Sequence, residues 1–297
     1  GSDTGGSIRQ PASWCGIVGY KPTYGVLSRY GIVEMASSLD CPGFFTKDIK
    51  DCEYLLNITK GQDHKDPTSI DIHSTNNDKK TIGIIKNLSY NEKNGEYMHK
   101  AIKLLENQGY KIIEFDIPYI NSMVSAYYII NTTEVSSNLS RFNILTYGDG
   151  TYSDNTKLRT ECFGQEAKNR IMVGNFILSK GNFKDYHQKT YELLGYVWSE
   201  IKAYMEQIDC ILLPSSMECI TIDNLKNMNN IDMYNQDTYT CFVNLFGLPG
   251  ISVPVGHYPS GSPLGLQLVG NPLEDYKLFK IGQILEDHFG KFGAKNE

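Results

Sequence analysis

Apolar positions along the chain cluster in runs of two kinds, and the order of those runs predicts the architecture. Stretches bounded by turn formers read as strands: GIVGY at 16–20, VLSRYGIVEM beyond the turn KPTYG, TIGIIKNL at 81–88, CILLPS at 210–215, and near the end GISVPVGHY and LGLQLVG. Other stretches carry a helical period. In KDIKDCEYLLNITKG, 47–61, the residues Ile49, Cys52, Leu55, Leu56 and Ile58 recur at helical spacing ahead of a glycine stop. NEKNGEYMHKAIKLLENQG predicts a helix ending near Gly109, with the strand YKIIEFDI directly after it. YHQKTYELLGYVWSEIKAYMEQI and the closing KLFKIGQILEDHF are also helical in pattern.

Strand, helix and strand over 81–117 predict a parallel βαβ unit, because the connection is long enough for a crossover. The mixture makes the fold class α/β, with a mixed central sheet flanked by helices. No heptads and no internal repeat appear. Residues 63–80, polar and interrupted by proline, read as a surface connection that separates two substructures. The chain opens directly on the Gly-rich GSDTGGSIRQP, with no strand before it, so residues 1–297 read as the C-terminal portion of a longer protein.

Charge and cysteine usage narrow the function classes. Lys and Arg total 28 against 34 Asp and Glu, a net charge of -6 that offers no strongly positive field for nucleic acid. Seven scattered cysteines without a CxxC pair fit free thiols better than a disulfide framework or a zinc site. No apolar run is long enough to span a bilayer.

The sharpest local feature is Gly5-Gly6-Ser7. Glycines beside a hydroxyl let the backbone approach a substrate closely, and consecutive N–H groups turned inward hold a developing oxyanion while the serine attacks. The plain alternative is a Gly-Ser turn. A serine nucleophile needs a base. The six histidines, at 64, 73, 99, 187, 257 and 288, stand in contexts that read as solvent-exposed. HExxH and the GxSxG elbow are both absent, which disfavours a Ser-His-Asp hydrolase and favours a lysine or second serine outside this sequence.

GSDTGGSIRQPASWCGIVGYKPTYGVLSRYG strongly resembles the amidase signature family, and EMASSLDCPG, SSNLSRF, FGQEAKNRIMVGNFILSKG, VNLFGLPGISVP and PLGLQLVG resemble its tRNA-dependent amidotransferase branch. The resemblance covers essentially the whole chain and implies the amidase signature fold. It implies that Ser7 is the nucleophile and forms an acyl ester, that the backbone of Thr4, Gly5 and Gly6 makes the oxyanion hole, and that Asp3 and Arg9 support the loop. The family's lysine and bridging serine lie upstream of the motif and have no equivalent here, so the chain alone is expected to be inactive.

Further roles follow from the same resemblance. Arg170 matches an arginine that clamps the α-carboxylate of glutamine, a planar anion suited to a guanidinium, and Asp237 matches an acid facing the α-ammonium. Without the resemblance, each reads as structural or solvent-facing. Tyr127 and Tyr128 lie in a stretch similar to the substrate-cleft wall, and the sequence leaves open which of them points inward. The implied reaction is glutamine hydrolysis, with ammonia passed to a B-like subunit that uses ATP and Mg²⁺ to convert Glu-tRNA(Gln), beside a small C-like accessory subunit. No cofactor is expected on this chain. The alternatives are a stand-alone amidase and a non-catalytic scaffold protein within the assembly. Lys-, Asn- and Tyr-rich segments point to an A/T-biased coding background, and so to an organelle stroma or matrix, plastid or mitochondrion, or to a bacterial cytoplasm.

Overall fold

The computed structural model describes residues 1–74, 77–148, 150–226 and 228–290. Its backbone falls into two compact units: Gly1–Gly31, Leu39–Val124 and the chain from Val197 onward make the first, Ile32–Ser38 and Ser125–Tyr196 the second.

Among the described residues the first unit contains nine strands, β1 (Ser2–Asp3), β2 (Val18–Lys21), β3 (Cys41–Pro42), β4 (Phe44–Thr46), β5 (Thr81–Ile85), β6 (Lys111–Phe115), β7 (Cys210–Pro214), β8 (Gly250–His257) and β9 (Pro263–Gly270). Seven of them form one sheet in the order β4-β2-β8-β9-β7-β5-β6, and β1 pairs with β3 apart from it. The ladders of β5 with β6 and with β7 are parallel and the remaining ladders are antiparallel, so the sheet is mixed, as the run order predicts. The crossover from β5 to β6 is the helix Glu92–Asn107, whose Asn91 cap accepts from the Asn94 N–H. Strands β7, β8 and β9 are buried almost throughout, which is why their sequences are near-continuous apolar runs rather than alternations.

Helices cover both faces. At adjacent positions of β2, which point to opposite sides, Gly19 meets Ala12 of the helix Arg9–Cys15, whereas the Tyr20 ring packs 4.9 Å from Phe279 of the helix Asp275–Phe289. A Cβ on Gly19 would lie 2.4 Å from Ala12 Cβ and 2.8 Å from the Ile8 carbonyl oxygen, so this glycine lets the first helix sit directly on the sheet. On the other face, Ile49, Cys52 and Leu56 of the helix Ile49–Thr59, Met98 and Leu105 of Glu92–Asn107, and Leu278 and Leu285 of the closing helix share one core with Val253, Leu266 and Leu268.

Two expectations fail here. VLSRYGIVEM forms no strand, although Val26 and Leu27 are buried. Backbone groups in it and beside it find partners outside any ladder: Val26 N–H donates to the Thr23 carbonyl at 3.1 Å, Arg29 N–H to Asp66 Oδ2 at 2.8 Å, and the preceding Gly25 C=O accepts from Ile70 N–H at 2.8 Å. Gly25 and Gly31 hold φ of +89° and +88°, which breaks extension at both ends of the stretch's first half. The segment 63–80, whose residues 75 and 76 lie outside the described residues, runs within the first unit and joins parts of it rather than separating two units. Asp66 organises it, accepting from Thr68 N–H at 3.0 Å and Thr68 Oγ1 at 2.6 Å.

In the second unit, the helix Met123–Asn138, from Ser125 on, packs closely on the helix Gln165–Leu178. Ser136 Oγ donates to Asn175 Oδ1 at 2.8 Å, and a Cβ on Gly174 would fall 2.1 Å from the Thr132 carbonyl oxygen. Glu134 ties down the short segment 32–38, accepting from Ser38 N–H at 2.9 Å and Ser38 Oγ at 2.5 Å. Among the described residues no helix is long and apolar enough to cross a membrane.

Candidate active site

The segment from β1 to the helix Arg9–Cys15 exposes Ser7 and buries Asp3, Thr4, Gly5, Gly6, Ile8 and Arg9 around it. A buried carboxylate accounts for that shape. Asp3 Oδ1 accepts from Gly6 N–H at 2.8 Å and Oδ2 from Ile8 N–H at 3.1 Å, so the loop is wound around its own side chain. Arg9 donates Nη2 to Asp3 Oδ1 at 3.0 Å and Nε to Oδ2 at 3.1 Å, a two-point pair with both side chains fully buried.

Such a pair persists only when its remaining hydrogen-bonding capacity is filled. Arg9 Nη1 donates to Gln267 Oε1 on β9 at 3.1 Å, and Nη2 donates to Asn244 Oδ1 at 2.6 Å and to the Thr240 carbonyl at 3.1 Å. Asn244 Nδ2 returns a bond to Asp3 Oδ1 at 3.0 Å, and Gln267 Nε2 is held by the carbonyls of Pro214 and Tyr239. Burial alone would raise the Asp3 pKa, but the charge and hydrogen bonds of Arg9, the charge of Lys21 and the Asn244 amide outweigh it and hold the carboxyl at about 2. Lys21, buried on β2 with Nζ on the Pro22 carbonyl at 2.9 Å, has its own pKa lowered by that burial.

The glycines divide their work. Gly6 holds φ +135°, and a Cβ there would lie 2.3 Å from Thr240 Oγ1, which itself donates to the Gly5 carbonyl at 2.6 Å. Because the Gly6 N–H is donated to Asp3, Gly6 supplies backbone shape rather than a free donor. Thr4 is anchored by its side chain, Oγ1 donating to Asp40 Oδ1 at 2.7 Å. The histidines stay out of this network: His64, His73, His99, His257 and His288 are exposed, and His187 stacks on Phe183 at 4.8 Å in the second unit.

Asp237 lies in the turn Gln236–Tyr239 and is brought to the same loop. Gln10, three residues past Ser7, donates Nε2 to Asp237 Oδ1 at 3.0 Å and to the Gln236 carbonyl at 2.6 Å. Arg170, Tyr127 and Tyr128 gather in the second unit. Arg170 Nε donates to Glu166 Oε1 at 2.8 Å, Nη1 donates to Asn131 Oδ1 at 2.7 Å, and the guanidinium lies 5.6 Å over the Tyr128 ring. Tyr127 is buried and packs edge-on against the half-buried Tyr128 at 5.0 Å. Burial would lower the Arg170 pKa, but Glu166 and the two tyrosines raise it above its ordinary value, so the cation persists at any working pH.

Sequence reading missed Gln10, Thr240, Asn244 and Gln267, each of which holds part of the loop. The signal was present for two of them. Asn244 in VNLFG and Gln267 in LGLQLVG are single amides inside apolar runs, and a buried amide must find partners.

Comparison with known proteins identifies the family. The sequence profile of the family described as Amidase matches residues 1–279. The A subunit of glutamyl-tRNA(Gln) amidotransferase from Thermoanaerobacter pseudethanolicus is 41% identical over 99% of this chain, which spans 64% of that relative's length. Its counterpart from Pelagibacter ubique is 39% identical over 97% of this chain and 62% of its own. The crystal structure of the counterpart from Thermotoga maritima superposes with a TM-score of 0.78 at 35% identity, covering 97% of this chain and 61% of that one. Kluyveromyces lactis allophanate hydrolase, at 24% identity and a TM-score of 0.81 over 99% of this chain and 48% of its own, shares the fold. A serine presented on a buried Asp3–Arg9 loop, an α/β sheet around it and a family profile spanning the loop and nearly all that follows lead to one conclusion: this chain belongs to the amidase family.

Proposed function

We propose that this chain carries the nucleophile of a glutamine-hydrolysing amidotransferase subunit. The observation that carries the reading is the exposed Ser7 hydroxyl on a loop whose other groups are buried and bonded. Ser7 Oγ attacks the side-chain carboxamide carbon of glutamine, and the oxygen that gains charge is received by the amides of Thr4, Gly5 and Ser7. Collapse of that adduct expels ammonia and leaves a γ-glutamyl ester on Ser7, which water then cleaves to glutamate. Removal of the Ser7 proton is assigned to the family's upstream lysine and bridging serine. Because the chain spans 64% of a relative's length, this activity is a proposal for the complete protein.

Arg170 is assigned to the α-carboxylate of the substrate and Asp237 to its α-ammonium. The raised pKa and the partners of Arg170, and the bond that Asp237 accepts from Gln10, support those roles. Ammonia is assigned to a B-like partner that activates Glu-tRNA(Gln) with ATP and Mg²⁺, beside a small C-like subunit, and the bacterial relatives favour the cytoplasmic alternative. Replacing Ser7 with Ala in the complete, assembled enzyme tests the reading. Glutamine hydrolysis and acyl-enzyme capture are expected to vanish while free ammonia still supports transamidation, and retained glutaminase activity would overturn it.

A further inference from the structure

Asn131 lies in the helix Met123–Asn138 of the second unit and is fully buried. Its Oδ1 accepts from Arg170 Nη1 at 2.7 Å, and that bond fixes which way the amide faces, because the amide nitrogen cannot accept from a guanidinium. Nδ2 is thereby left on the other side of the amide, buried and without a hydrogen-bond partner among the described residues. A native protein rarely keeps such a donor unsatisfied, and where it does a ligand group is one reason.

The neighbouring cation is committed in a way that leaves room for such a group. Arg170 gives Nε to Glu166 Oε1 at 2.8 Å and Nη1 to Asn131, and Nη2 makes no hydrogen bond among the described residues. An unpartnered Nη2 and an unpartnered amide Nδ2 therefore belong to the two partners of one guanidinium–amide hydrogen bond. The group that answers two such donors is an anion with two acceptor oxygens, a carboxylate. We propose that Asn131 is a substrate-recognition residue whose Nδ2 donates to the α-carboxylate of the amino-acid substrate beside Arg170.

This rests on the glutaminase reading and deepens it. A neutral second donor does what another cation would not. It adds a directed bond to a carboxylate oxygen, whereas an α-carboxamide has only one oxygen to offer and must set its own N–H₂ against one of the two donors. Discrimination between glutamine and its α-amide, both of which keep the reacting side chain, is therefore assigned in part to Asn131.

The test is the Asn131→Asp variant of the complete, assembled protein, with kcat and KM measured for glutamine and for glutamine α-amide. Aspartate keeps an acceptor for Arg170 Nη1 while replacing the donor with a second anion. KM for glutamine is expected to rise about 10- to 100-fold with kcat little changed, and the preference for glutamine over its α-amide to fall by a similar factor. Asn131→Ala, which removes acceptor and donor together, is expected to lose the same preference, and thermal unfolding checks that each variant is folded. Equal losses on both substrates would assign Asn131 to holding Arg170 or to packing, with a buried water on Nδ2, and would overturn the proposal. So would an unchanged substrate preference in variants that fold. Wild-type enzyme that does not hydrolyse glutamine would overturn the glutaminase reading itself, whereas active wild type with an unaffected Asn131→Asp variant would remove only the role of Asn131.

Discussion

Replacing Asp3 with Asn changes one oxygen into an amide nitrogen and is expected to unfold the nucleophile loop from within. In the native loop both carboxylate oxygens accept: Oδ1 from Gly6 N–H, Arg9 Nη2 and Asn244 Nδ2, and Oδ2 from Ile8 N–H and Arg9 Nε. An asparagine must turn an N–H₂ toward one of those donor sets and leaves the fully buried Arg9 without its counter-charge. The Asp3 pKa, lowered from 3.8 to about 2, means that folding favours its charged form by about 2 kcal/mol. Stranding the arginine brings the expected loss to about 3–5 kcal/mol at neutral pH.

The pH dependence provides the internal check. Because the folded pKa lies below the unfolded one, the carboxylate's contribution is complete above the unfolded value and is lost as pH falls through about 4 to about 2. Urea midpoints of wild type and Asp3→Asn, followed by circular dichroism from pH 7 downward, should therefore differ most at neutral pH and converge toward pH 2. A loss below about 1 kcal/mol at neutral pH, or a gap that does not narrow in acid, would refute the claim that the ionised Asp3–Arg9 pair holds the loop.

Ser7→Ala, at an exposed position, should change stability by no more than about 0.5 kcal/mol, while in the complete, assembled enzyme the proposed acyl-enzyme should no longer be captured, as read by mass spectrometry after quenching. Gly6→Ala combines a φ of +135° with a Cβ 2.3 Å from Thr240 Oγ1, so a loss of about 2–4 kcal/mol is expected in thermal or urea unfolding, and wild-type stability would contradict the geometry. Gly174→Ala, whose Cβ would meet the Thr132 carbonyl oxygen at 2.1 Å, should cost about 1–3 kcal/mol by separating two helices of the second unit. In native thiol labelling, the exposed Cys15, Cys162 and Cys219 should react and the buried Cys41, Cys52, Cys210 and Cys241 should not, since burial raises the Cys41 pKa to about 11 and pushes those of the other three up as well. Rapid loss of all seven thiols in folded protein would contradict the burial.

The centre of the sheet was legible because β7, β8 and β9 are buried almost throughout, and the crossover helix Glu92–Asn107 carries a clean period. VLSRYGIVEM misled because β propensity says nothing of where backbone groups find partners, and here they find Asp66 and the backbone at Ile70, about forty residues along the chain. At the site, GSDTGGS announced a candidate nucleophile, Ser7, beside two glycines. It did not reveal that Gly6 N–H is consumed by Asp3, because donor assignment depends on a side chain folding back over its own loop. Gln267 and Asn244 were visible only as polar letters in apolar words, and their partner Arg9 lies more than two hundred residues earlier.

That separation also orders the protein's birth. The loop emerges among the first residues of this chain, but the Arg9–Asn244 and Arg9–Gln267 bonds that seat it span 235 and 258 residues. At about 5–20 residues per second a ribosome needs roughly 13 to 50 s to supply the second of those partners. Throughout that interval a charged arginine and aspartate must stay near water, and the apolar face of the first helix has no finished sheet to cover it. Ribosome-bound chains stopped before β9 should therefore engage chaperones through the segment from Asp3 to Cys15, and the nucleophile, made more than two hundred residues ahead of Gln267, should be among the last groups to acquire its native surroundings.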